Sequence, residues 1–189
     1  MTSEKSVATE ARLNALVSRL GAGSDTTSNT VTGVSTAPLT VSWTVLAGTA
    51  VAGVVYRIRC GGHGVWAATT GQQLSLEQRI DSTVVNNLNI AASNGAINAG
   101  DPFEWDETLE WMITATGAGG LCRVRQALSM SKVGVAANNS NGVSAVRRAV
   151  SVAFDTTGDR LLHLNALWAS TAGTPTITCD GSTFEKISP

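Results

Sequence analysis

The sequence predicts an all-β protein, an antiparallel β-sandwich of the jelly-roll type preceded by a short N-terminal helix. From residue 29 onward, apolar and polar side chains alternate with a period of two, which is the spacing of strands with one buried face. Turn-forming stretches rich in Gly, Asn and Pro recur between these segments, and no helical period follows residue 20. Many short strands at even spacing are typical of a sandwich or a jelly roll.

Residues 4–20 are the exception, because their apolar side chains recur with helical spacing. The apolar face consists of Leu13, Leu16, Val17 and Leu20. A helix this short is not stable alone in water, so we expect the face to dock on sister copies or on a larger assembly. Gly21 and Gly23 end the helix, and the small polar residues that follow predict a flexible linker. The expected domains are helix and linker over 1–28 and a β-sandwich over 29–189.

Ten strands are predicted in the sandwich domain. They cover residues 29–36, 39–46, 53–60, 72–80, 83–90, 103–116, 121–132, 144–154, 160–169 and 175–187. Glycine-rich stretches such as CGGHG and TGAGG are predicted to be turns between them. The segment 160–169 carries apolar side chains on both faces, which indicates a central strand or a strand at a subunit contact.

The segment FEWDETLEWMITATG, at 103–117, shows the alternation most clearly. Its aromatic residues take odd positions and most of its acids take even ones. In a strand the rings therefore point into the core and the acids point to solvent or to an interface. Glu107 is the exception on the buried side, where a bulge or a basic partner such as Arg57 or Arg79 would accommodate it.

Composition and charge exclude several classes of function. The chain has 13 basic and 14 acidic residues and a net charge of −1, so it lacks the basic excess of a nucleic-acid binder. The N-terminus has no signal-peptide pattern, and no apolar run is long enough to insert into a membrane. The three cysteines are an odd number and lie far apart, which predicts buried thiols in a protein made in a reducing cytoplasm.

The sequence carries no convincing catalytic or metal-binding motif. Glu104, Asp106 and Glu110 share one strand face at a spacing that would suit a glycosidase, but every alternating strand provides that spacing. Cys60-Gly-Gly-His63 has a ligand-like spacing, yet no second paired motif accompanies it; the residues that could add ligands are His163 and Cys179. Nucleophile elbows and phosphate loops are absent. We therefore expect no enzyme, no metal and no cofactor.

Two residues in the glycine-rich stretch CGGHGVW are candidates for ligand contact. Four of the five tryptophans lie in alternating segments and are expected in the core. Trp66 follows the glycines, so it is the candidate for an exposed ring, and His63 is expected beside it. An exposed ring and an imidazole would suit a carbohydrate-binding or receptor-binding module.

Three long stretches resemble a family of small virion proteins encoded by tailed phages of actinobacteria. They are NTVTGVSTAPLTVSWTVLAGTAVAGVVYRIRCGGHG (29–64), FEWDETLEWMITATGAGG (103–120) and SVAFDTTGDRLLHLNALWASTAGTPTITCDGSTFEKI (151–187). The resemblance implies a jelly-roll β-domain with a structural or attachment role on the virion, as a minor tail, tail-fibre-like or capsid-surface protein. It implies a homotrimer in contact with other virion proteins, and it supplies no active-site residues.

The short N-terminal segment departs from a tail fibre, which would have a long stalk, and favours a compact tail-tip, collar or capsid-surface component. The alternative is a carbohydrate-binding module that attaches the virion to a glycan of the host surface. The two functions are compatible, because a virion protein can itself be the adhesin.

Overall fold

The computed structural model describes residues 22–67, 72–91, 100–133 and 142–187, and within these ranges every regular element is a β-strand. The strands are β1 (Ala22–Asp25), β2 (Asn29–Val31), β3 (Ala37–Pro38), β4 (Trp43–Val45), β5 (Val55–Trp66), β6 (Gln73–Ile80), β7 (Thr83–Ala91), β8 (Asp101–Ala115), β9 (Leu121–Lys132), β10 (Gly142–Ala153), β11 (Arg160–Trp168) and β12 (Thr176–Ile187). The predicted all-β class is confirmed. The helix predicted over 4–20 lies outside the described residues.

The strands form two antiparallel sheets that pack as a sandwich. The larger sheet has the order β1-β12-β5-β8-β9-β10, and β2 also pairs with β12. The smaller sheet has the order β3-β11-β6-β7, and β4 also pairs with β11. Every strand pair is antiparallel.

Strand β8 has the two faces that its alternation predicts. Phe103, Trp105, Leu109 and Trp111 are buried, and the acidic Glu104 and Asp106 between them are exposed. Burial of the inner face is the main stabilising contribution here, because each large side chain removed from water contributes about 1.5–3 kcal/mol. The alternation therefore decides which face of β8 meets the smaller sheet.

Aromatic rings fill the space between the sheets. The Phe184 ring stacks on Trp43 with centroids 5.5 Å apart and on Tyr56 at 5.9 Å. At the other end Trp66 meets Trp168 edge to face at 5.0 Å. Two aromatic clusters therefore support the two ends of the sandwich.

Strand β11 lies in the middle of the smaller sheet, with β6 on one side and both β3 and β4 on the other. Residues 162–166 are all buried. This confirms a central strand, the first of the two interpretations of its apolar faces.

The glycine-rich stretch CGGHG is not a turn, because β5 runs through it without a break to Trp66. Its glycines are required by close backbone packing. A Cβ at Gly62 would collide with the Thr178 carbonyl, and a Cβ at Gly64 would collide with the Phe103 ring and the Thr176 carbonyl. Glycine in a strand often marks such close approaches, so tertiary packing overrides the local preference for a turn.

The segment expected to be a flexible linker contributes the edge strand β1, and β2 falls within the strand predicted over 29–36. Residues of β1 pair with β12 from Ala22 opposite Glu185 to Asp25 opposite Ser182, and β2 pairs with the earlier part of β12. Backbone hydrogen bonds do not depend on apolar side chains, so this small, polar segment gave no periodic signal.

Candidate functional site

The outer face of the larger sheet carries a row of charged side chains that crosses five strands. Residues paired across neighbouring antiparallel strands project from the same side of the sheet. The register therefore places Glu185 of β12, Arg57 of β5, Glu110 of β8, Arg125 of β9 and Arg148 of β10 in one row. Acid and base alternate along it until two arginines meet at the β10 end.

Glu110 is the centre of this row. Its carboxylate accepts from Arg57, with Nη2–Oε1 and Nε–Oε1 distances of 2.8 and 2.9 Å, and lies 3.4 Å from Nη1 of Arg125. Arg57 also reaches Glu185, with 3.5 Å between Nη1 and Oε2. Glu110 is therefore held between two guanidinium groups, an arrangement that is typical of a structural ion-pair network.

Beside the row lies a hollow of about 430 Å³, here called the basic hollow. Its apolar lining consists of Val55, Met112, Val124, Ala149, Val150 and Ile187, and its charged lining consists of Arg57, Glu110, Arg123, Arg125 and Arg148. Two of these apolar side chains are unusually open for their type, because Val150 is 70% and Met112 42% exposed. Such a volume lies in the range of ligand-binding pockets, and an apolar patch with a polar rim is typical of a contact surface.

The other end of the same face carries acids. A hollow of about 410 Å³, here called the acidic hollow, is lined by Gly62, His63, Glu104, Trp105, Asp106 and Asp180. Nδ1 of His63 lies 3.0 Å from Oδ2 of Asp180, and Glu104 is the register partner of His63 on β8. Asp180 occupies the bulge where the pairing of β12 with β5 shifts. Bulges re-aim side chains, and this one adds a carboxylate to the face.

His63 and Trp66, the two candidate ligand-contact residues, lie on opposite faces of β5. His63 is exposed, with 61% of its side-chain surface accessible. Trp66 is 1% exposed and packs on Trp168 and Phe103, so the expectation of an exposed ring is wrong. Because β5 continues through the glycines, its even positions keep pointing inward, and Trp66 follows Ile58 and Cys60 into the core.

Every aromatic residue of the chain is buried. The sequence contains five tryptophans, one tyrosine and three phenylalanines, and all nine belong to the core between the sheets. A stacking platform for sugar rings therefore has no side chain to form it.

Glu107 is a carboxyl group inside the core. It is 2% exposed, and Oε1 accepts a 2.6 Å hydrogen bond from Nε2 of Gln126, while Oε2 has no partner. Burial raises the pKa of Glu107 to about 8, partly opposed by the bond from Gln126. It sits at no bulge, and Arg57 and Arg79 pair with other acids, so neither expected accommodation applies.

The three cysteines are buried free thiols, as predicted. Cys60 and Cys179 lie close together near Glu107; their mutual hydrogen bond, followed by burial, raises the pKa of the Cys60 thiol well above its usual value. The same bond lowers the pKa of Cys179.

His163 is also buried on the smaller sheet, and burial lowers its pKa. Of the four candidate zinc ligands, Cys60 and Cys179 lie together in the core, His63 is exposed on the outer face, and His163 is on the smaller sheet.

Within the described ranges, no group of three or more His, Cys, Asp or Glu side chains is placed to hold a metal ion. The same part of the chain contains no helix that could span a membrane. Leu13, Leu16, Val17 and Leu20, predicted to form the docking face, lie outside the described residues.

Sequence reasoning missed the charged row and the basic hollow. The alternation of β9 places Arg123 and Arg125 on one face of the strand, but the partners of that face come from β8 and β10. Only the strand register reveals them, and a register depends on loops and on packing of the other face.

Comparison with protein-family models, with curated proteins and with solved structures finds no match to this chain.

Proposed function

We propose that the protein is a non-catalytic structural component of a tailed-phage virion, located at the tail tip, the collar or the capsid surface. In this proposal the sandwich is of the jelly-roll type, and residues 4–20 form a helix that docks through Leu13, Leu16, Val17 and Leu20. The protein assembles with copies of itself, and the resemblance implies three of them. It is made in the host cytoplasm and contacts other virion proteins.

The observation that carries the proposal is the outer face of the larger sheet. Open apolar side chains and arginines lie together there over five strands, as on a surface that another protein covers. The acids nearest to them are engaged in cross-strand ion pairs that fix the geometry of the face. Contact with protein explains this combination better than chemistry on a small substrate.

The receptor-binding alternative now rests on hydrogen bonds alone. The buried Trp66 removes the stacking ring on which it was based. His63, Glu104 and Asp180 around the acidic hollow are the remaining polar groups that could face a glycan. Polar contacts without stacking suit a weak, secondary attachment role at most.

Particle composition tests the virion assignment. Antiserum against the full chain is applied to density-gradient-purified particles of the phage whose genome encodes it, with immunogold microscopy to locate the label. We expect the chain to co-sediment with infectious particles and to label one fixed position. A coding sequence outside any phage or prophage region, or a chain that stays wholly in the soluble fraction, would refute the proposal.

A further inference from the structure

The basic hollow has more positive charge than the described residues balance. Arg57 is fully engaged by Glu110 and Glu185, and Arg125 shares the same Glu110. Arg148 lies opposite Arg125 in the register, and no carboxylate of the described residues lies within ion-pair distance of Arg148 or Arg123. Adjacent like charges repel, so this end of the face favours an anionic partner.

The acidic hollow has the opposite imbalance. Glu104 and Asp106 are exposed and make no ion pair with the described bases, and Asp180 has only His63. The two hollows lie on one face of one sheet. Arg57 and His63 are six positions apart on β5, which is about 20 Å along a strand.

We propose that this face is covered by a second copy of the same chain, turned by a two-fold axis that lies across the strands. The rotation reverses the strand direction, so the basic hollow of each copy faces the acidic hollow of its partner. Because the contact is isologous, it pairs a basic hollow with an acidic hollow at two places, and the charge of all four hollows is compensated. This inference deepens the proposed function, because it names a surface through which the protein assembles with itself.

The size of the face fits a stable contact. Five strands at a spacing of about 4.8 Å, each about 12 residues long, present roughly 900 Å² per copy, or about 1,800 Å² in all. Specific interfaces bury about 1,200–2,000 Å² in total. Between the two hollows, one register row contains the small side chains of Thr108 and Ala127 together with the long, exposed side chain of Arg59, and the next row contains Ser129.

Charge reversal on the full chain tests the contact. Arg123→Glu with Arg148→Glu makes the basic hollow acidic, and Glu104→Lys with Asp106→Lys makes the acidic hollow basic. We expect each double variant to weaken self-association by about tenfold or more, and the quadruple variant to restore it, because the two hollows are complementary again. Thr83→Glu with Val84→Glu, on exposed positions of the smaller sheet, is the control and should associate like wild type.

Light scattering and sedimentation give the mass in low salt and in about 0.5 M salt, which screens exposed charges. Circular dichroism establishes that each variant is folded. We expect an even number of copies, two or, if the N-terminal segments make a trimer, six. A wild-type monomer or trimer overturns the proposal. So do double variants that keep the wild-type mass, or a folded quadruple variant that does not recover it. None of these results decides the virion assignment, which particle composition tests separately.

Discussion

Glu107 and Glu110 lie three residues apart on strand β8 but project from opposite faces of the larger sheet. Glu110 projects outward, where two arginines hold its carboxylate. Glu107 projects inward among apolar side chains, with a single amide donor and a pKa raised to about 8. The pleat of the strand separates them, because odd and even positions of β8 project from opposite faces of the sheet. The same type of side chain is therefore a buried, neutral carboxyl group on the inner face and an ion-paired carboxylate on the outer face.

The largest expected effect compares neighbours on the two faces of the same strand. Trp111 is fully buried, whereas Met112 is 42% exposed on the rim of the basic hollow. We expect Trp111→Ala to lower the free energy of unfolding by about 3–5 kcal/mol through cavity formation. Met112→Ala should change it by about 0.5 kcal/mol or less, as surface substitutions usually do. Urea unfolding checks both, and equal losses would contradict the assignment of the two faces.

The buried acid should make stability depend on pH. Below about pH 4.5 Glu107 is neutral in the folded and unfolded chain. Between about 4.5 and 8 the unfolded chain loses this proton and the folded chain keeps it, so stability falls as pH rises, by a few kcal/mol in total; above about 8 the contribution is constant. Glu107→Gln keeps the acceptor for Gln126 and removes the ionisation. We expect this variant to be more stable than wild type near pH 8.

Urea unfolding at about pH 5, 6.5 and 8 measures this difference. Glu104→Gln, an exposed acid on the same strand, is the matched control and should keep the wild-type dependence on pH. A Glu107→Gln profile parallel to that of wild type would show that the buried carboxyl does not cause the dependence.

The smallest effect concerns the outer acid. Glu110→Gln removes the carboxylate shared by Arg57 and Arg125 and adds a further uncompensated charge to the basic hollow. Because the pair is partly exposed, we expect a loss of only about 1 kcal/mol, which shrinks as salt screens the remaining repulsion. Thermal unfolding at low and high salt measures it. At a dilution at which the chain does not self-associate, a loss as large as that for Trp111→Ala would contradict the placement of Glu110 on a partly exposed face.

Much of the fold was predictable from the sequence. The period-two pattern locates the longer strands, such as β8 and β9, because burial of one face requires it. The errors share one cause. Local preference predicts a turn at Gly61 and Gly62, whereas contacts with β12 and β8 require small residues within a continuous strand. The supposed exposure of Trp66 followed from that error, and extending the strand corrects both.

The candidate site was less predictable than the fold. Its components come from β5, β8, β9, β10 and β12, which are distant in sequence and meet only through the register. No single strand holds a motif. The odd positions of β9 indicated that Arg123 and Arg125 share a face, but not that Glu110 lies between Arg57 and Arg125.

The burial of all nine aromatic side chains has an optical consequence. Ultraviolet fluorescence of this protein originates wholly from rings shielded from solvent, so the emission is expected at short wavelength and resistant to quenching by iodide. Docking of another molecule on the outer face leaves those rings untouched and changes the emission little, whereas loss of the core shifts it strongly. Tryptophan emission therefore reports directly whether the sandwich is folded, and it changes little when another molecule binds to the outer face.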